Sequence, residues 1–156
     1  MAQVFIGLQG GGGRDGDLDF TISLLASLWD PNAPVEVFSR AVSALDNFPE
    51  MQPTETGLTG ISEIYSFYAV LVMRYAALCR ANGDIDSALK YGHACLTAMG
   101  QLDQNLPRSS FSADEFELQR RIALAGNEGV LNEEEVRSGD RRIGGERLST
   151  LRERMR

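Results

Sequence analysis

The feature that most constrains the fold of this chain is a stretch at residues 61–81 with almost no polar side. Its apolar residues fall on every side of a helix: Ile64, Tyr65, Phe67, Tyr68, Val70, Leu71, Val72, Met73, Tyr75, Leu78 and Cys79. A helix that is apolar all round is buried, in a protein core or in a membrane. Because the uncharged run from residue 64 to 73 ends at Arg74, it is too short to span a membrane. The stretch therefore predicts a buried helix.

Weaker helical patterns flank this stretch on both sides. Apolar residues recur at helical spacing over residues 18–29, 35–48, 87–102 and 114–125. They predict an all-α fold, an antiparallel helical bundle of about four main helices. Since a chain of 156 residues has few elements with which to cover an apolar helix on every side, we expect neighbouring subunits to cover part of it.

Capping residues predict the ends of the two central helices. Ser62 is expected to cap the helix at 61–81, with Glu63 in its first turn. Gly83 suits the left-handed backbone at the end of that helix, and Asp84 or Asp86 is expected to cap the next one. These helices should form an antiparallel hairpin, in which the second helix buries Ala88, Leu89, Tyr91, Cys95, Leu96 and Met99.

Charge divides the chain unevenly. Residues 1–116 carry 6 basic and 14 acidic side chains, whereas residues 117–156 carry 9 basic and 8 acidic ones. Together with four consecutive glycines near the N-terminus, this division predicts a flexible N-terminal arm at 1–17, a helical core at 18–116, and a flexible Arg/Glu-rich C-terminal arm at 117–156. The net charge of -7 excludes a generally basic surface, so an anionic partner must meet a local group of basic residues.

Motifs for catalysis and for cofactor or metal binding are missing from the sequence. The glycine run lacks the lysine and hydroxyl residue of a phosphate-binding loop, and the serines lack a nucleophile elbow. His93 is the only histidine, so no histidine cluster can hold a metal. Cys79 and Cys95 fall in helical patterns as small buried thiols, which fits a reducing, intracellular environment. We predict no enzymatic activity and no cofactor.

Two resemblances to known families point to non-enzymatic functions. Residues 74–96 resemble the helix-turn-helix of a tetratricopeptide repeat, with Gly83, Asp84, Ala88 and Tyr91 in familiar places. Such repeats stack in units of about 34 residues, and the other candidate unit, at residues 35–45, has the wrong spacing. This resemblance implies an adaptor that binds a protein partner.

The second resemblance is to the coat proteins of rod-shaped plant RNA viruses, the tobamovirus-like family of four-helix proteins. Residues 25–48 are similar to the N-terminal sequence of that family. Arg80 with Asp84, Asp86, Ser87 and Ala88 is similar to the family's arginine followed by an aspartate pair and an alanine, at the start of a long helix near the RNA, and the spacing after the arginine is longer here. RSSF at 108–111 resembles the family's Arg-x-x-Phe sequence. The residues that match the family's N-terminal sequence are Ser27, Trp29, Asp30, Pro31, Glu36, Ala44, Leu45, Asn47 and Phe48.

This second resemblance implies a structural capsid protein that self-assembles into a helical rod or filament around single-stranded RNA. Its expected partners are many copies of itself and the RNA, without a membrane, and its expected location is the virion, assembled in the host cytoplasm. The predicted RNA-binding residues are Arg74, Arg80 and Arg108. The predicted subunit interface, on the apolar helix, consists of Tyr65, Phe67, Tyr68 and Leu71.

Overall fold

Helices make up the regular secondary structure in the part of the chain that the computed structural model describes, residues 14–52, 57, 60–105, 110–127 and 132–154. The helices are α1 (Asp15–Trp29), α2 (Val35–Leu45), a short 3-10 helix (Pro49–Met51), α3 (Ile61–Ala81), α4 (Ile85–Asn105), α5 (Phe111–Asn127) and α6 (Glu133–Arg154). The all-α prediction is therefore confirmed. The helices are somewhat more numerous than the four predicted, because residues 117–154 add α6 and most of α5.

The described part of the predicted C-terminal arm is helical despite its low apolar content. Arginine, glutamate and leucine all have high helix propensity. Acidic residues at the start of α6 stabilise the helix because they interact favourably with the positive end of its dipole. The predicted boundary after residue 116 lies inside α5. Near its end, α6 contacts α5, where Arg147 lies 3.5 Å from Glu115 and Leu148 is 8% exposed. Residues 15–17 of the predicted N-terminal arm belong to α1, and residues 1–13 lie outside the described residues.

The central helix α3 spans the predicted residues, although its first cap differs from the prediction. Gly60, not Ser62, is the N-cap, because the helix already begins at Ile61. The Glu63 carboxylate accepts a hydrogen bond from the Gly60 backbone N–H at 3.0 Å. This bond satisfies one of the backbone donors that a helix start leaves without a helical partner.

A tight turn joins α3 to α4, as predicted. Gly83 has a φ of +75°, and the N–H of Asp84 donates to the carbonyl oxygen of Cys79 at 2.9 Å. The Asp84 carboxylate then accepts from the N–H of Ser87 at 2.9 Å, which caps α4. Hydrogen bonds that Asp84 accepts from Ser87 lower the pKa of Asp84 below its usual value. Because the connection between the end of α3 and the start of α4 is so short, and both of these helix ends are capped, the two helices run antiparallel.

The turn gives a prediction with a built-in control. We expect Gly83→Ala to lower the free energy of unfolding by about 1 kcal/mol, because a side chain disfavours a positive φ even where it meets no neighbour. The same substitution at Gly139, inside α6 and also free of neighbours, should raise the free energy of unfolding by about 0.5–1 kcal/mol. Urea denaturation followed by circular dichroism measures both. Equal effects of the two substitutions would contradict this account of the turn.

Each long helix packs mainly on the next one in the chain. The main contacts join α2 to α3, α3 to α4 and α4 to α5, and α1 lies against α2 and α3. One core runs through these contacts, and a side chain from α6 reaches it. Its buried members are Leu24, Phe38, Ala41, Leu45, Phe48, Tyr65, Ala69, Val70, Met73, Ala77, Ala98, Phe111 and Leu148. The predicted bundle is therefore a row of antiparallel helices whose core lies on one side of α3.

A buried ion pair holds the start of α1 against this core. The Arg14 guanidinium donates two hydrogen bonds to the Glu50 carboxylate, one of them from Nη2 to Oε2 at 2.9 Å. The Ser66 hydroxyl donates to the same carboxylate at 2.7 Å. Glu50 has a side chain only 5% exposed, and that of Arg14 is 15% exposed. Arg14 also bonds to Asp17 and lies over the Phe48 ring, so a single cluster connects α1, the 3-10 helix and α3.

Candidate interaction surfaces

The two sides of α3 differ sharply in burial. The inner side faces the core and includes Val70 and Ala77, both fully buried. On the opposite side, Ile64 is 44% exposed and Tyr75 is 38% exposed, and the apolar residues that share this side, Phe67, Tyr68 and Leu71, are partly exposed. The prediction that a single chain cannot cover this helix on every side therefore agrees with the exposure of these side chains.

The exposed side of α3 has a regular pattern, which we call the outer stripe: Ile64, Phe67, Leu71, Arg74 and Leu78. These five residues follow the alternating spacing of three and four that places the a and d positions of a heptad on one line. Tyr68 and Tyr75 lie beside the stripe on the side of α4, where Tyr75 stacks on Tyr91 with ring centroids 5.5 Å apart. The outer stripe is thus a mostly apolar helix face between α2 and α4.

The four predicted interface residues divide between the two sides of α3. Phe67 and Leu71 belong to the outer stripe and are partly exposed. Tyr68 is partly buried and packs against the edge of the core. Tyr65 lies in the core itself, 6% exposed. Only the first two are therefore placed so that a second subunit could reach them without a change in the chain's own packing.

A second apolar surface lies on α4, where the prediction was wrong. Leu89 was expected to be buried, yet it is 63% exposed, and Ile85 on the same side is 47% exposed. Leu89 precedes the buried Ala98 by nine residues, which places the two side chains about 180° apart around the helix. The α3 helix covers the side with Ala98, so Leu89 points away from it. We call Ile85 and Leu89 the α4 patch.

The neighbouring helix α5 explains why the α4 patch is open. The backbone N–H groups of Phe111 and Ser112 donate to the Asp103 carboxylate at 3.0 and 2.8 Å, so α5 begins against the C-terminal end of α4. Helical periodicity puts Asp103 on the same side of α4 as Ile85. The same face is therefore covered at its C-terminal end and exposed at its N-terminal end.

Arg80, a predicted RNA-binding residue, has an internal role in this structure. It is 8% exposed, and its Nη2 donates to the backbone carbonyl oxygen of Asp30 at 2.6 Å. Its guanidinium lies 4.8 Å from the centroid of the Phe38 ring, a cation–π contact. Arg80 thereby connects the end of α3 to α2 and to the loop before α2. A phosphate could reach it only if these contacts opened.

Arg74 is the more accessible of the predicted arginines. Its Nε donates to the carboxylate of Asp46, the residue directly after α2, at 2.5 Å, and the two side chains are 24% and 47% exposed. The hydrogen bond from Arg74 lowers the pKa of Asp46 below its usual value. Because exposed pairs of this kind are worth only about 0–1 kcal/mol, a phosphate can compete with Asp46 for Arg74. The third predicted arginine, Arg108, lies outside the described residues.

Comparison of the chain with models of known protein families, with curated proteins and with solved structures gives no match. The chemistry of the described residues adds two findings. No three of their His, Cys, Asp and Glu side chains form a group that could hold a metal ion. None of the helices among them has the length and hydropathy of a membrane span.

Two features of the structure were not predicted from the sequence. The exposure of Leu89 could have been suspected from its position four residues after Ile85, on a different side from Ala88 and Tyr91. The pairing of Arg14 with Glu50 had no comparable signal, because the partners are 36 residues apart and neither lies in a recognisable motif. Helical periodicity shows which side chains share a face, whereas it does not show which faces meet.

Proposed function

We propose that this chain is a structural capsid protein that self-assembles into a helical rod or filament around single-stranded RNA. The observation that carries the proposal is the presence of two apolar surfaces on different sides of the chain, the outer stripe of α3 and the α4 patch. Leu89 and Ile64 are 63% and 44% exposed at these surfaces. Adjacent exposed apolar side chains are typical of surfaces that contact other proteins, and we infer that other copies of the chain cover these two surfaces.

Two distinct surfaces matter because the geometry of assembly depends on their number. A single self-complementary surface makes a closed dimer, whereas further contacts through a different surface extend the assembly into a ring or a helical filament. Leu89 points away from α3, so a contact at the α4 patch leaves the outer stripe free for another neighbour. The chain can therefore take part in more than one subunit contact at a time.

The RNA part of the proposal rests on repetition rather than on net charge. Each subunit needs to supply only one or two arginines, because many subunits bound along one RNA neutralise many phosphates together. Arg74 fits this role better than Arg80, since it is more exposed and its bond to Asp46 is exchangeable. Arg80 then supports the subunit fold, and the predicted phosphate contact of Arg108 stays a prediction.

Negative-stain microscopy and sedimentation of the purified chain test the self-assembly. We expect rods or filaments, and we expect Leu89→Glu to prevent them, because a charge at the α4 patch cannot be buried in a subunit contact without a partner. Thr97→Glu, an exposed position on the same helix, is the control and should assemble normally. A wild-type chain that stays a single monodisperse species at all concentrations would overturn the proposal.

RNA binding is tested separately through its dependence on salt. We expect Arg74→Gln to make the slope of log affinity against log salt less steep by about 0.7 for each subunit bound, as expected for the loss of one contact to single-stranded RNA. Arg40→Gln, on the exposed side of α2, should leave the slope unchanged. Equal slopes for the wild-type chain and Arg74→Gln would remove Arg74 from the RNA site.

A second candidate function, a tetratricopeptide-like adaptor, is favoured by the tight hairpin at Gly83. The lengths of the helices count against it. The α3 and α4 helices have 21 residues each, so together they exceed the repeat of about 34 residues that includes both helices and the turns. An adaptor would stay monomeric and bind a peptide, and the same sedimentation experiment separates it from a capsid protein.

A further inference from the structure

We propose that Asn82 is a site of spontaneous covalent modification, at which the backbone nitrogen of Gly83 attacks the side-chain amide and converts it into a carboxylate. The site lies in the exposed turn between α3 and α4, and the hydrogen bonds of that turn set the rate of the reaction. This modification belongs to the single chain and does not depend on the proposed capsid function.

Sequence and exposure together distinguish Asn82 from the other asparagines. The chain has six asparagines, and only Asn82 is followed by glycine. A glycine nitrogen is an accessible nucleophile, because no side chain beside it hinders the approach and its backbone rotates freely. Both residues of the pair are exposed, and the space around the α-carbon of Gly83 is open. Asn32 is exposed as well, but the side chain of Ala33 follows it.

The reaction needs only water and these two neighbouring residues. A base in solution removes the proton from the Gly83 N–H, and the nitrogen attacks the side-chain carbon Cγ of Asn82. The bond from Cγ to the amide nitrogen breaks, the leaving nitrogen takes a proton from solvent and departs as ammonia, and a succinimide ring remains. Water then opens the ring. Attack at Cγ gives aspartate, and attack at the backbone carbonyl carbon gives isoaspartate, in which the chain runs through the former side chain.

The closed turn opposes this attack. The N–H of Gly83 donates to the carbonyl oxygen of Arg80 at 3.1 Å, and the N–H of Asp84 donates to that of Cys79 at 2.9 Å. These bonds hold Gly83 at a φ of +75° and keep its N–H engaged. Ring closure therefore requires a local opening of the turn, and its rate follows the fraction of molecules in which the turn is open.

The products fit the turn less well than asparagine does. Asn82 is the C-cap of α3, so an aspartate there places a negative charge at the negative end of the helix dipole. Isoaspartate also inserts an additional backbone carbon into a turn that short hydrogen bonds close. We expect the purified isoaspartate form to unfold at a lower urea concentration than Asn82→Asp, and Asn82→Asp at a lower one than the wild-type chain. An isoaspartate form as stable as the wild-type chain would contradict this account of the turn.

Mass spectrometry of tryptic peptides from the aged, folded chain tests the site. Trypsin releases residues 81–90, which contain Asn82, and residues 15–40, which contain Asn32, so that one sample reports both asparagines. We expect deamidation at Asn82 to be several-fold faster than at Asn32 and to accelerate as the pH rises, because the attacking nitrogen must lose its proton. Equal rates at the two asparagines, or an Asn82 that stays intact, would overturn the proposal.

A comparison between folded and unfolded chains tests the role of the turn. Urea removes the closed turn, so Asn82 should react faster in urea than in the folded wild-type chain. Asp84→Ala removes the carboxylate that caps α4. We expect it to raise the rate in the folded chain about fivefold, the effect of one lost helix cap on an opening equilibrium, and to leave the rate in urea nearly unchanged. Thr97→Ala, at an exposed position of α4, is the control and should match the wild-type chain in both conditions. A rate in urea no faster than in the folded chain would refute the control by the turn.

Discussion

Phe38→Ala is expected to lower the free energy of unfolding by about 4 kcal/mol. The Phe38 side chain is 1% exposed in α2, so its removal loses apolar burial and leaves a cavity that the packed helices can only partly fill. It also removes the ring on which the buried Arg80 guanidinium lies. Urea denaturation at a low protein concentration measures the loss without a contribution from assembly.

A matched substitution in the same helix separates core packing from helix propensity. Val35→Ala, at a position 46% exposed, should change the free energy of unfolding by about 0.5 kcal/mol or less. Phe38→Leu keeps most of the volume and loses the cation–π contact, so its loss should be intermediate, about 1–2 kcal/mol. If Phe38→Ala and Val35→Ala had the same effect, α2 would not pack as described.

Glu50→Gln is expected to lower the free energy of unfolding by about 3 kcal/mol near neutral pH. The substitution leaves the Arg14 guanidinium in a largely buried place without its carboxylate partner. Burial opposes ionisation of Glu50, but the hydrogen bonds from Arg14 and Ser66 outweigh it, so the pKa of this carboxyl is lowered in the folded chain. The hydrogen bonds that Arg14 itself donates to Glu50, with the one to Asp17, raise the pKa of Arg14.

The direction of the Glu50 shift fixes the pH dependence of this loss. A carboxyl whose pKa is lower in the folded chain stabilises the fold above its unfolded pKa, and this stabilisation disappears as the pH falls through the folded value. The difference between the wild-type chain and Glu50→Gln should therefore be constant near neutral pH and shrink in acid. Glu36→Gln, at the exposed start of α2, is the control and should cost about 0.5 kcal/mol. A difference that grew in acid would contradict the lowered pKa of Glu50.

The helix at 61–81 shows how far the sequence alone could predict this fold. Its bounds, its helical partner, predicted at 87–102 and found at 85–105, and the turn at Gly83 follow from local periodicity and from the backbone preference of glycine, which act within a few residues. The wrong prediction that Leu89 is buried arose from long-range packing, not from local sequence. Whether an apolar side chain on a helix is buried depends on where the next helix runs, and α5 covers only one end of that face of α4.

The predicted arginine sites show the same difference between local sequence and long-range packing. The resemblance to the coat proteins led us to predict RNA contacts at Arg74 and Arg80, and both have aromatic or acidic neighbours in space. Only the fold distinguishes them, since Arg80 reaches the Asp30 carbonyl oxygen from 50 residues away and Arg74 stays near the surface. The side chain that resembles an RNA ligand in the sequence is thus the one that the fold uses internally.

The apolar pattern at 61–81 predicts a helix that is covered on all sides, in part by other subunits, and that covering stays a prediction. The sequence by itself determined that it is helical, where it ends, and that it has no polar face. Only the tertiary structure decided that α2 and α4 flank it while Ile64 and Leu71 stay accessible. The physical reason is that helix formation depends on neighbours along the chain, whereas the choice of covered face depends on the long-range packing of α1, α2, α4 and α5 around a single core.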